Sequence, residues 1–101
     1  MYLYNISIIV DDENHQQLIN WVKKDWLSKI QGEVKFLKML NTPHEGSTYC
    51  VQIIADNEQA IYSFQKEYVS VLQEHIALYY LEKAFIFDST MEYISNIDES
   101  T

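Results

Sequence analysis

The stretch from Val34 to Ala55 constrains the chain more than any other. Two apolar runs, Val34 to Leu40 and Thr48 to Ala55, flank a segment holding Asn41, Pro43 and Gly46. Asparagine and glycine tolerate positive φ and proline pre-sets its own, so such a cluster between apolar runs makes a turn. The stretch predicts a β-hairpin whose loop is longer than the two-residue minimum. A strand–helix unit precedes it and a helix–strand unit follows.

Tyr2 to Val10 alternates. Tyr2, Tyr4, Ile6, Ile8 and Val10 share one face, while Leu3, Asn5, Ser7 and Ile9 share the other. Strand side chains alternate with a period of two, so this is a strand with one apolar and one mixed face. Asp11 and Asp12 offer an N-cap, and Glu13 adds negative charge where the helix dipole favours it. Leu18, Ile19, Val22, Trp26 and Ile30 then recur at helical spacing, with Gly32 as terminator. Lys35 and Lys38 interrupt the second strand, as suits an edge that must resist stray pairing.

After the hairpin, Asp56 and Gln59 have capping-box spacing. Ile61, Phe64, Tyr68, Leu72, His75 and Tyr79 form the expected inward stripe of a second helix, flanked by Val71 and Ile76. Ala84 to Tyr93 is a fourth strand, and Ser95 to Thr101 a polar tail expected to fray. The order βαββαβ is the ferredoxin-like α+β pattern. Right-handed crossovers place both helices on one face of a four-stranded antiparallel sheet, with strands one and three central. One domain, 1–94, followed by a tail, 95–101, is the expected organisation.

The opposite sheet face is then uncovered in a single copy. It is expected to carry Leu3, Asn5, Ser7, Ile9, Cys50, Gln52 and Ile54. The fourth strand adds either Ile86, Asp88, Thr90 and Glu92 or Phe85, Phe87, Ser89 and Met91, and alternation alone does not choose between them. A face so apolar is uncomfortable in water. An isologous homodimer would cover it and enclose a semi-polar cavity.

Charge narrows the partners. The net charge is −8, from 15 acidic and 7 basic residues, all seven of them lysine. Without arginine there is no bidentate fork for phosphate or guanine, and the negative field repels nucleic acid and anionic lipid. No nucleic-acid or membrane partner is expected. Cys50, the single cysteine, reads as a small buried hydrophobe. The first strand lacks the basic n-region of a signal peptide, and its apolar run is cut by Asp11 and Asp12, so a cytoplasmic protein is expected. His15, His44 and His75 match no metal spacing, and Asp11, Asp12 and Glu13 lack the glycine and distal glutamate of a calcium loop. With Gly32 and Gly46 the only glycines there is no phosphate-cradling loop. No metal or cofactor is expected.

Tyr4-Asn5-Ile6-Ser7, Trp21, the run from Gly46 through Thr48, Tyr49, Val51 and Gln52, and Glu74-His75 resemble a bacterial family described as a domain of unknown function, number 4286. The resemblance spans nearly the whole chain and implies the ferredoxin-like fold, associated as a dimeric α+β barrel. Two positions depart from the family pattern: Trp26-Leu27-Ser28 stands where His-Ile-Pro is usual, and Phe87-Asp88-Ser89 where Phe-Arg-Thr is usual. The family offers no catalytic residue to carry over.

The residues leave three readings. The first is a non-catalytic homodimeric module that binds a small-molecule or protein ligand over Asn5, Ser7 and Gln52. The second is a cofactor-free dimeric-barrel enzyme, monooxygenase- or isomerase-like, with Asp88 or His75 moving the proton. The third is a metabolite-sensing regulatory domain. Asp88 either faces solvent near an edge or enters the open-face cavity, where desolvation would raise its pKa. His75 is a hydrogen-bonded core-edge histidine or a general base.

Overall fold

A computed structural model describes residues 1–95. The tail, past its first residue, lies outside the described residues. Strands β1 (Tyr2–Val10), β2 (Lys35–Lys38), β3 (Ser47–Ala55) and β4 (Ala84–Glu92) form one antiparallel sheet in the order β2-β3-β1-β4. The two strands with the cleanest alternation are central, and the lysine-bearing β2 is an edge. It is shorter than Val34 to Leu40, although the Met39 amide still donates to the Thr48 carbonyl at 2.8 Å. The hairpin closes through Asn41 and Gly46, both at positive φ (59° and 88°). A Cβ on Gly46 would sit 2.6 Å from the Val10 carbonyl oxygen, so the loop packs against the end of β1 only because that residue is glycine.

Both helices cover the apolar face of β1, where Tyr4, Ile6, Ile8 and Val10 are at most 1% exposed. The first helix is α1 (His15–Trp21), continued by a π turn (Val22–Trp26) and a 3₁₀ turn (Leu27–Lys29). Leu18, Ile19, Val22 and Trp26 are its buried stripe, as the spacing predicts. Its start does not follow the prediction. The Asp11 amide donates to the Lys83 carbonyl, which prolongs the β1–β4 pairing, and the Asp11 carboxylate takes the Asn14 amide at 2.9 Å. Asp11 therefore closes a turn, and the helix begins only at His15.

The second helix is α2 (Glu58–Phe64), a π turn (Gln65–Val69) and α3 (Ser70–Tyr79). Its cap is Asn57, whose Oδ1 accepts the Ala60 amide at 2.8 Å, rather than the expected Asp56–Gln59 pair. The stripe is also corrected. Ile61, Phe64, Val69, Leu72, Ile76 and Tyr80 are buried, whereas Tyr79 is 69% exposed and Tyr68 and His75 are half-buried. A π turn holds more residues than an α turn, so past Gln65 the inward face rotates: Val69, Ile76 and Tyr80 replace Tyr68, His75 and Tyr79, while Leu72 stays inward. Within that turn the Tyr68 carbonyl accepts the Trp26 indole N–H at 2.8 Å, which ties the two helices together.

Candidate functional site

The uncovered sheet face is built by register. Lys35 pairs with Gln52, Gln52 with Asn5, and Asn5 with Ser89, so one polar row crosses all four strands. The next row is Leu37, Cys50, Ser7 and Phe87. On the other side lie Ile54, Leu3 and Met91, and beyond Ser7 comes Thr48, Ile9 and Phe85. β4 thus turns Phe85, Phe87, Ser89 and Met91 to the open face, which settles the alternative that the sequence left standing. Leu37, Ile54, Phe85, Phe87 and Met91 are exposed, Phe87 by 61%.

Asn5, Ser7 and Gln52 come together. Gln52 Nε2 donates to Asn5 Oδ1 at 3.1 Å, Asn5 Nδ2 donates to Ser7 Oγ at 3.2 Å, and Ser7 Oγ lies 3.8 Å from Cys50 Sγ. These bonds fix the amides at the middle of an apolar surface, where an unpaired polar group would be costly once covered. Thr48, on the same face, is only 3% exposed because the hairpin loop folds over it, with His44 Nε2 at 3.5 Å from its hydroxyl. The face is therefore walled at that end. At the other end Leu3, Glu33, Lys35, Gln52, Ile54 and Tyr93 line a hollow of about 220 Å³.

Asp88 is elsewhere. Its partner in the register is Ile6, so it lies on the helix side of the sheet, exposed at the β4 edge. The Tyr4 hydroxyl donates to its Oδ2 at 2.5 Å, and Gln65 Nε2 reaches both groups at 3.4 and 3.5 Å. Burial first, then the bond to Asp88, hold the Tyr4 phenol well above its ordinary pKa. The helix layer covers only the start of β4: Ala84 is buried, Ile86 half-buried and Asp88 exposed. The cavity placement of Asp88 beside Asn5 and Gln52 is thereby corrected.

His75 sits apart again, between the helices. Its ring stacks on Trp21 with centroids 3.5 Å apart and planes 5° from parallel. Desolvation lowers its pKa, opposed by the charge of Asp25. The sequence reading missed both the Tyr4–Asp88–Gln65 cluster and the participation of Glu33, Lys35 and Tyr93 in the hollow. The alternation of Glu33 and Lys35 is visible in the sequence, but their neighbours Leu3 and Gln52 appear only with the register. Among the described residues no group of three His, Cys, Asp or Glu is placed to hold a metal ion, and no helix is long and apolar enough to cross a membrane.

A family model described as "Domain of unknown function (DUF4286)" matches residues 1–94. No curated protein matches the chain in sequence. Three solved structures share the fold at low identity. An ethyl tert-butyl ether D (EthD) family protein from Bacillus halodurans C-125 is 13% identical with a TM-score of 0.60, over 93% of this chain and 100% of its own. A Dabb family protein with a ferredoxin-like fold from Mesorhizobium loti MAFF303099 is 10% identical with a TM-score of 0.57, over 94% and 100%. The de novo designed protein Foldit4 is 15% identical with a TM-score of 0.58, over 91% and 97%. At these identities the likeness is one of fold.

Proposed function

The chain belongs to the DUF4286 family, and from that premise we propose that it is a non-catalytic homodimeric module whose open sheet face pairs with a second copy and holds a small ligand over Asn5, Ser7 and Gln52. The observation that carries the reading is the composition of that face: exposed Leu37, Ile54, Phe85, Phe87 and Met91 surround a fixed row of amides. Soluble chains rarely leave so continuous an apolar surface without a partner.

Area and charge favour a second copy as that partner. Three of the strands run nine residues, about 30 Å at about 3.4 Å per residue, and four strands span about 19 Å. The face therefore offers on the order of 500 Å² per copy before side-chain relief is added, so two copies approach the roughly 1,000 Å² that a specific interface needs. The net charge of −8 repels like chains, yet the four rows hold only one charged side chain, Lys35. Two copies meeting here keep most of their carboxylates away from the contact, Glu33 at the hollow being the exception, and added salt should tighten the pair by screening the rest.

The cofactor-free enzyme reading assigns proton transfer to Asp88 or His75. Asp88 lies on the far side of the sheet and His75 between the helices. The module is therefore the reading adopted. Light scattering tests it: the wild type should have dimer mass, and Phe87→Asp should be monomeric with unchanged far-ultraviolet circular dichroism. A monomeric wild type, or a dimeric Phe87→Asp, would overturn it.

A further inference from the structure

We propose that the hollow at the Leu3–Ile54 end of the open face binds a free aliphatic α-amino acid, an inference that rests on reading this face as a ligand site. Its lining pairs opposite charges with apolar surface: Glu33 and Lys35 beside Gln52, over Leu3, Ile54 and Tyr93. Glu33 lies two residues before Lys35, the first residue of β2, and both line the hollow, so their opposite charges face one small space. A carboxylate and an ammonium so placed can engage the two ends of one small zwitterion.

The roles follow from the donors. Lys35 has only donors and takes the ligand carboxylate; Glu33 has only acceptors and takes the ammonium. Gln52 spends Nε2 on Asn5, which leaves its Oε1 to accept from the same ammonium. Leu3 and Ile54 then meet the ligand side chain, with Tyr93 as the outer wall. Size agrees. At about 30 Å³ per water-sized group, a hollow of about 220 Å³ takes roughly seven such groups. That suits an aliphatic amino acid. Both charged groups are needed, because a ligand with one charge leaves the other side chain to lose its water without a replacement partner.

Three probes of matching shape separate these contributions: L-leucine, 4-methylpentanoate, which lacks the ammonium, and 3-methylbutylamine, which lacks the carboxylate. Melting curves of the full chain are recorded with each, alongside native mass spectra. Leucine at a hundredfold excess over its Kd should raise the melting temperature by on the order of 10 °C. The two single-charge probes should give little or no shift. Glu33→Gln and Lys35→Met, both at exposed positions, should keep the wild-type far-ultraviolet circular dichroism and, compared each with its own ligand-free curve, bind leucine at least about tenfold more weakly. No shift with leucine, an equal shift with 4-methylpentanoate, or undiminished binding by either variant would overturn the assignment. The mass spectra score the dimer separately: a dimeric wild type that ignores leucine refutes the amino-acid assignment alone, and a monomeric wild type refutes the dimer.

Discussion

The two faces of β1 are written by the same nine residues and meet opposite fates. Tyr4, Ile6, Ile8 and Val10 are closed over by two helices, whereas Leu3, Asn5, Ser7 and Ile9 stay half-buried with no helix of the described residues above them. On β4 the contrast runs against intuition. Phe85 and Phe87 point to the uncovered side, and the carboxylate of Asp88 to the helix side. Apolar surface is sent outward while a charge stays on the helix side, which is the arrangement the proposed dimer accounts for. The helix face is a core with one polar cluster at its edge, and the open face is an exposed apolar surface with one polar row at its centre.

The largest test of that contrast is truncation on each face. Ile6→Ala, at a fully buried site, should cost about 2–5 kcal/mol in urea unfolding, from lost transfer energy and the cavity left behind. Ile54→Ala, at a site 55% exposed in the single copy, should cost under about 1 kcal/mol at concentrations where the protein is monomeric. A cost for Ile54→Ala that grows with protein concentration would sharpen the comparison, since burial by a second copy depends on concentration. Equal costs at every concentration would break it.

A smaller effect is expected from the polar cluster on the helix side. Tyr4→Phe removes the bond to Asp88 and should cost about 0.5–1.5 kcal/mol near neutral pH. Its pH dependence has a definite sign. The folded phenol titrates above its ordinary value of 10.0, so the contribution is complete below about pH 10 and fades as pH rises beyond it. Alkaline unfolding of wild type should be steeper than that of Tyr4→Phe. Parallel curves would mean that this phenol is no more protected than in the unfolded chain.

The smallest effect belongs to His75. Its folded pKa is lowered from 6.5 by desolvation against Trp21. The unfolded chain therefore takes up the proton first, and stability present above about pH 6.5 is lost as pH falls toward the folded value. His75→Gln should flatten the stability profile between about pH 6.5 and 5. An unchanged slope would assign that acid sensitivity to other groups.

Much of the fold was legible because its signals are local. Alternation in Tyr2 to Val10 and Tyr49 to Ala55 set the central strands and their faces, and Asn41 to Gly46 set the turn. The candidate site was legible in part: Asn5, Ser7 and Gln52 were placed on one face by parity alone, and the register joins them. The helix starts were displaced by one to four residues because neighbouring groups compete for the same amides. Asp11 was drawn into pairing with Lys83, and Asn57 lies where Asp56 was expected to cap.

By itself the sequence determined the order of elements, the central and edge strands, and the face of β1 that enters the core, since these follow from periodicity within one segment. Tertiary structure alone decided the rest. In β4 both faces mix apolar and polar residues, and only pairing with β1 sets Phe87 opposite Ser7 and Asp88 opposite Ile6. In the second helix the π turn at Gln65–Val69 moves burial from Tyr79 to Tyr80. Each outcome depends on partners distant in the chain, and a pattern confined to one segment carries no term for them.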